Sequence, residues 1–135
     1  MKDLENAQMM LSMAKKDLDV LQATKNSDIV SDEMFGFHAE QAVEKTLKAW
    51  LTLAGVQYPK IHDLEKLFSM LEDSSQTVDN DFQILVDLTD FAVQFRYESL
   101  DEESGEKLDR STLLNQIEKL VRHVERLVRE FVNDF

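Results

Sequence analysis

Residues 111–131, STLLNQIEKLVRHVERLVREF, carry apolar side chains at Leu113, Leu114, Ile117, Leu120, Val121, Val124, Leu127, Val128 and Phe131. The spacing i, i+3, i+4, i+7 is that of one face of an α-helix, with charged residues on the other face. Working outward, residues 98–108 (ESLDEESGEKL) are polar, contain Gly105, and read as a mobile surface loop. Before them a helix from about Val78 to Tyr97 carries Phe82, Leu85, Val86, Leu88, Thr89, Ala92, Val93 and Phe95. Residues 2–24 repeat Leu4, Ala7, Leu11, Ala14, Leu18 and Leu21 at steps of three and four. A polar break follows, in which Asp28 or Ser31 can cap the next helix. That helix runs to about Ala54, with Phe35, Ala39, Ala42, Val43, Thr46, Leu47, Trp50 and Leu51 on its inner stripe, and Gly55 just past its end. After a loop stiffened by Pro59, His62 or Asp63 opens a short helix to about Leu71, carrying Leu64, Leu67, Phe68 and Leu71. No stretch alternates as a strand does. The fold class is therefore all-α, an up-and-down bundle of four long helices plus one short helix, as a single domain over residues 1–135.

Composition agrees and excludes other classes. Three Gly and one Pro in 135 residues are too few for the turns of a sandwich or barrel. The absence of Cys removes a disulfide framework, a thiolate nucleophile and a zinc finger. No apolar run approaches a membrane span and MKDLENAQMM lacks a signal peptide's apolar stretch, so a cytoplasmic protein with no membrane partner is expected. The formal net charge is −12, and the excess of acid lies wholly between residues 26 and 108. That field repels nucleic acid at long range, so a general phosphate-tracking surface is not expected, and DNA is not expected as a partner. A small local basic site, or one completed by a second subunit, stays open.

Several chemistries are missing their residues. Gly36, Gly55 and Gly105 are isolated and form no phosphate loop. Phe35, Pro59 and Leu120 stand three residues before His38, His62 and His123, where a di-iron bundle needs Glu. No metal and no cofactor are called for. On the second helix Glu40, Glu44 and Lys48, with Gln41 and Lys45, line one flank beside the apolar stripe. On spacing alone they read as surface ion pairs. His123, between Arg122 and Val124, reads as a helix-surface residue, and Trp50 as core packing.

The run FHAEQAVEKTLKAWLTLAGVQYPKIHDLEKLF, residues 37–68, resembles the signature stretch of HEPN-domain proteins. That signature is an aromatic-His-x-Gln-Gln-Ala-x-Glu-Lys-x-Leu-Lys-Ala helix, a Gly turn and a His-Asp-Leu entry into a short helix. Glu40 stands in place of the first Gln. Ala14 and Lys16-Asp17-Leu18 resemble the family's first helix, and Phe95-Arg96-Tyr97 resembles an Arg-Tyr pair found in one bacterial branch. The resemblance implies a helical bundle, a homodimer, and a nucleotide or RNA ligand. In part of the family it also implies a minimal nucleotidyltransferase as partner in a toxin–antitoxin or defence pair. Many members cleave RNA without metal, using Arg and, after four to six intervening residues, His. Arg96 is followed by Tyr97, Glu98, Ser99, Leu100, Asp101, Glu102 and Glu103, so that motif is absent.

Helix order gathers Tyr58, His62, Asp63, Arg96 and Tyr97 at one end of the bundle. Arg96 can grip a phosphate, or pair with an acid or with helix-end carbonyls. His62 can exchange protons near neutral pH, or with Asp63 simply cap its helix. Tyr97 can stack on a base or pack with its hydroxyl at the rim. Three readings result. The first is a HEPN-type nucleotide- or RNA-interacting module without ribonuclease activity, with Lys45, Lys48, His62, Asp63, Arg96 and Tyr97 as binding candidates. The second is a metal-independent endoribonuclease using Arg96 with His62 or Tyr97. The third is a structural helical dimerisation or adaptor module.

Overall fold

The computed structural model describes residues 2–74, 76, 78–87, 89 and 108–133. Its helices are α1 (Lys2–Thr24), α2 (Asp32–Leu53), α3 (Leu64–Asp73), a helical stretch at residues 80–87 (α4) and α5 (Arg110–Asn133). Among the described residues there is no strand, and the fold is all-α as the periodicities indicate. The expected loop at 98–108 lies outside the described residues except for Leu108, as does the expected end of α4 at Phe95, Arg96 and Tyr97.

Each helix starts and stops for a local reason. Ser31 caps α2 by accepting from the Met34 N–H at 3.2 Å, which decides between the two cap candidates. Asp63, rather than His62, caps α3 by accepting from the Lys66 N–H at 3.3 Å. Asp109 opens α5: its carboxylate accepts from the Thr112 N–H at 3.1 Å and the Thr112 hydroxyl at 2.7 Å. The hydroxyl bond is the main reason its carboxyl titrates below the usual range. At the other end of α2, Gly55 adopts φ +76°. Its N–H donates to Thr52 O at 3.1 Å and the Val56 N–H donates to Leu51 O at 2.9 Å, a Schellman motif.

The apolar faces then select the packing. Ala7, Leu11, Ala14, Leu18 and Leu21 of α1 are buried, as are all the inner-stripe residues named for α2. Leu113, Leu114, Ile117, Leu120, Val121, Val124 and Val128 of α5 close the same core, while Leu127 and Phe131 are only half-buried. Helix α2 is the hub: α1, α3 and α5 all pack against it. Thr24 at the end of α1 and Asp32 at the start of α2 are held by the same Arg110 side chain, and Asp17 of α1 reaches His38 and Lys45 further along α2, so the two run antiparallel. Trp50 and His123, both in the later halves of their helices, meet at 4.8 Å, so α2 and α5 run parallel. His62 lies beside Glu44 and Gln76 beside Trp50, so α3 advances in the direction of α2. A strict up-and-down path would instead run it opposite to α2. The chain doubles back between Gly55 and His62 before α3 begins.

Arg110 ties the start of α5 to the α1–α2 connection. Its Nε donates to Asp32 at 2.8 Å, and its Nη atoms donate to the carbonyls of Thr24 (2.7 Å), Ser27 (3.2 Å) and Val30 (2.6 Å). The guanidinium carbon also lies 5.0 Å from the centroid of the Phe35 ring. A planar fork of five donors suits this set of acceptors as a single ammonium does not.

Two outcomes are expected in denaturant melts. Arg110→Met keeps the apolar stem but leaves those acceptors without their donor, and lowers stability by about 2–3 kcal/mol. Gly55→Ala meets open space but must hold a left-handed φ, and lowers stability by about 1 kcal/mol.

Candidate functional site

The polar flank of α2 lies in the interhelical space and not on the surface, which corrects the reading of its charges as surface ion pairs. The Glu44 side chain is 5 % exposed and that of Lys48 is 11 % exposed. Glu44 uses both oxygens. Oε2 accepts from Lys48 Nζ at 3.4 Å, and Oε1 lies 2.8 Å from His62 Nδ1. A carboxylate only accepts, so His62 carries its proton on Nδ1 and leaves Nε2 as the free ring nitrogen. The imidazole itself is 79 % exposed. Lys48 Nζ also stands 5.7 Å from the Tyr58 ring centroid. Buried carboxylate, oriented imidazole, ammonium and phenol ring thus form one cluster on the side of α2.

Lys45 belongs to a different group. Its Nζ donates to Asp17 Oδ2 at 2.7 Å, while His38 Nδ1 donates to Asp17 Oδ1 at 3.1 Å. This triad fastens α1 to α2. Of the six sequence candidates, the structure brings His62 and Lys48 together and sets Lys45 apart on the α1 side. Asp63 is engaged as the cap of α3. Tyr58 and His62 are gathered by neighbouring residues of α2, Lys48 and Glu44, and so lie along its flank rather than past its end. Arg96 and Tyr97 lie outside the described residues.

His123 departs from the reading of it as a helix-surface residue. Its ring lies 4.8 Å from Trp50 and 5.3 Å from Phe82, tilted 57° to each. Its Nδ1 is 3.2 Å from Arg126 Nη2. A guanidinium only donates, so Nδ1 accepts and the imidazole is neutral with its proton on Nε2. Burial, and then the charge of Arg126, push its pKa below the ordinary value, while Asp79 and Glu130 oppose them. The aromatic positions alone did not signal this contact, because Trp50 and His123 are far apart in sequence. Arg110 was missed for the same reason. Three of its four acceptors are backbone carbonyls, and any residue type supplies those.

What this arrangement can do chemically is hold a phosphate or move a proton at His62 Nε2. Among the described residues no group of three acidic or His side chains converges as a metal site. No helix there is long and apolar enough to cross a membrane.

The depressed pKa of His123 has a consequence for pH. As pH falls through about 6.5, the ordinary His value, the unfolded chain takes up a proton before the folded one does. Stability is therefore lost on acidification. From about pH 7.5 to about pH 5.5 the melting temperature should fall more steeply for the wild type than for His123→Gln, as differential scanning fluorimetry reads.

Comparison with curated proteins and with solved structures gives no match. The family model of the HEPN domain matches residues 7–127, from the first buried residue of α1 to the last turns of α5. That span includes the Asp17 triad, the Glu44 cluster and the Gly55 turn. The chain belongs to the HEPN-domain family.

Proposed function

We propose that the protein is a nucleotide- or RNA-interacting HEPN module, with its contact surface on the flank of α2 and the loop to α3. The observation that carries this is the Glu44–His62 pair: a buried carboxylate holds an exposed imidazole at 2.8 Å with Nε2 facing outward. Burial of the carboxylate limits screening of the pair, and the exposed ring remains accessible to a ligand. Lys48 and the Tyr58 ring beside it supply a cation and a stacking surface. Arg96 and Tyr97 complete the candidate set. In this reading the chain acts as a homodimer and as one partner of a toxin–antitoxin or defence pair with a minimal nucleotidyltransferase, cytoplasmic throughout. Family membership supports the homodimer and the paired partner.

One observation favours a second reading. A carboxylate-oriented imidazole is also a general acid–base device, so His62 with Arg96 can serve a metal-independent endoribonuclease. The experiment that separates the readings is incubation of a mixed RNA pool in low salt with EDTA, with anisotropy of a labelled single-stranded RNA alongside. Binding without cleavage, weakened about tenfold by Arg96→Ala and by His62→Ala, is expected for the module. Cleavage in EDTA that disappears in His62→Ala establishes the ribonuclease. A folded wild type that neither binds nor cleaves removes both and leaves the adaptor reading.

A further inference from the structure

Helix α5 places Lys119, Arg122, Arg126 and Arg129 at steps of three, four and three, along one face. All four are exposed and line a cleft of about 370 Å³ between α5 and the start of α4. Like charges at these spacings destabilise a helix, and the 27 Asp and Glu of the chain, among them Glu118, Glu125 and Glu130 on α5 itself, offer abundant means of neutralising them. They are nevertheless left largely uncompensated. Arg126 has one long, exposed ion pair with Glu130 at 3.7 Å, and among the described residues Lys119, Arg122 and Arg129 form none. Of the described arginines only Arg110, committed to the α1–α2 connection, lies elsewhere.

The floor of the cleft is built. His123 is braced by the rings of Trp50 and Phe82, and its Nδ1 accepts from Arg126 Nη2. The imidazole thereby fixes one guanidinium while staying neutral itself. Asp79 and Asp81 stand on the other rim, and Asp79 is partly engaged, accepting from the Asp81 N–H at 3.0 Å. Four cations face two carboxylates, so the cleft is positive within a chain of net charge −12. The two rim acids disfavour a broad polyanion and leave room for a narrow one lying along α5. The row from Lys119 to Arg129 is about 15 Å long at helical rise, which suits several linked phosphates rather than one. Guanidinium groups match phosphate oxygens in pairs.

We propose that this cleft is an oligophosphate-binding site, separate from the Glu44–His62 cluster, taking the phosphate chain of a nucleotide or of a single RNA strand. It deepens the reading of a nucleotide- or RNA-interacting module and rests on that reading for the source of the phosphates. Its geometry stands apart from His62.

The test is calorimetric titration of the full chain with inorganic tripolyphosphate in low salt. The wild type is compared with Arg122→Gln/Arg129→Gln, with His62→Ala, and with Lys16→Gln as a control for a cation lost elsewhere, on α1. The double variant removes only exposed side chains, and its thermal melt verifies the fold. Saturable binding that falls at least tenfold in the double variant and stays within twofold in Lys16→Gln is expected. A salt slope lower by about two in the double variant accompanies it. Competition by a nucleoside triphosphate or by a short RNA then identifies the source of the phosphates. No binding by the wild type, or equal loss in Lys16→Gln, overturns the proposal. So does a double variant that leaves tripolyphosphate binding intact but shifts the sedimentation of the protein, which marks the row as a contact for an acidic protein surface. Loss of RNA binding in His62→Ala with tripolyphosphate binding kept shows the two sites to be independent. Retention of RNA binding in His62→Ala, with tripolyphosphate binding lost in the double variant, removes the α2 site and leaves the cleft standing.

Discussion

Helix α2 has to be buried on several sides while carrying charge. With α1, α3 and α5 all against it, its apolar stripe is wide enough to take in Trp50 and Phe35 completely, and little of its circumference is left for water. A buried charge is tolerated only when paired and hydrogen-bonded. His38, Glu44, Lys45 and Lys48 therefore dictate what their neighbours must provide. Asp17 of α1 answers His38 and Lys45 with one oxygen each. Glu44 answers Lys48 within the helix and His62 from the loop that follows. Those pairings set the register of α1 on α2, and they place the start of α3 beside the middle of the helix rather than at its end.

The two ends of the core are held by different chemistry. At one end Arg110 gathers three carbonyls and a carboxylate from the α1–α2 connection, so the polar groups of a loop are met by a residue distant in sequence. At the other, Trp50, Phe82 and His123 form an aromatic group, and the Trp50 indole N–H donates to Gln76 at 3.2 Å. Aromatic rings with a polar edge suit such a position, because the ring packs while the heteroatom finds a partner. The same group braces the floor of the α5 cleft, so a structural contact also orients a charged side chain.

Function inherits this division. The Glu44 cluster is a by-product of burying a charged flank and yet turns an imidazole outward. The α5 row shows the reverse arrangement: among the described residues Lys119, Arg122 and Arg129 have no ion pair, and Arg126 has only a long one with Glu130, in a chain of net charge −12. In the proposed reading, an imidazole braced by a carboxylate and a row of exposed guanidinium groups serve a phosphorylated ligand in complementary ways, one through protons and one through charge.

Much of this was legible in the residues themselves. Heptad-like spacing placed α1, α2 and α5 within a residue or two, because burying one stripe is the main way such helices gain stability. Asp63 and Gly55 announced a cap and a stop, since those roles depend on local backbone and side-chain chemistry alone. The run from Phe37 to Phe68 carried the family. What only the tertiary structure decided is which charges meet. Lys45 and Lys48 look alike on a helix, yet one is bound to Asp17 of α1 and the other to Glu44 of its own turn. His62 and His123 are both isolated in sequence, and one is exposed on a carboxylate while the other is packed between rings. Periodicity encodes which face is buried, but the partner of a polar atom is set by whatever the packed neighbours bring within about 3 Å, and that depends on the direction and register of whole helices.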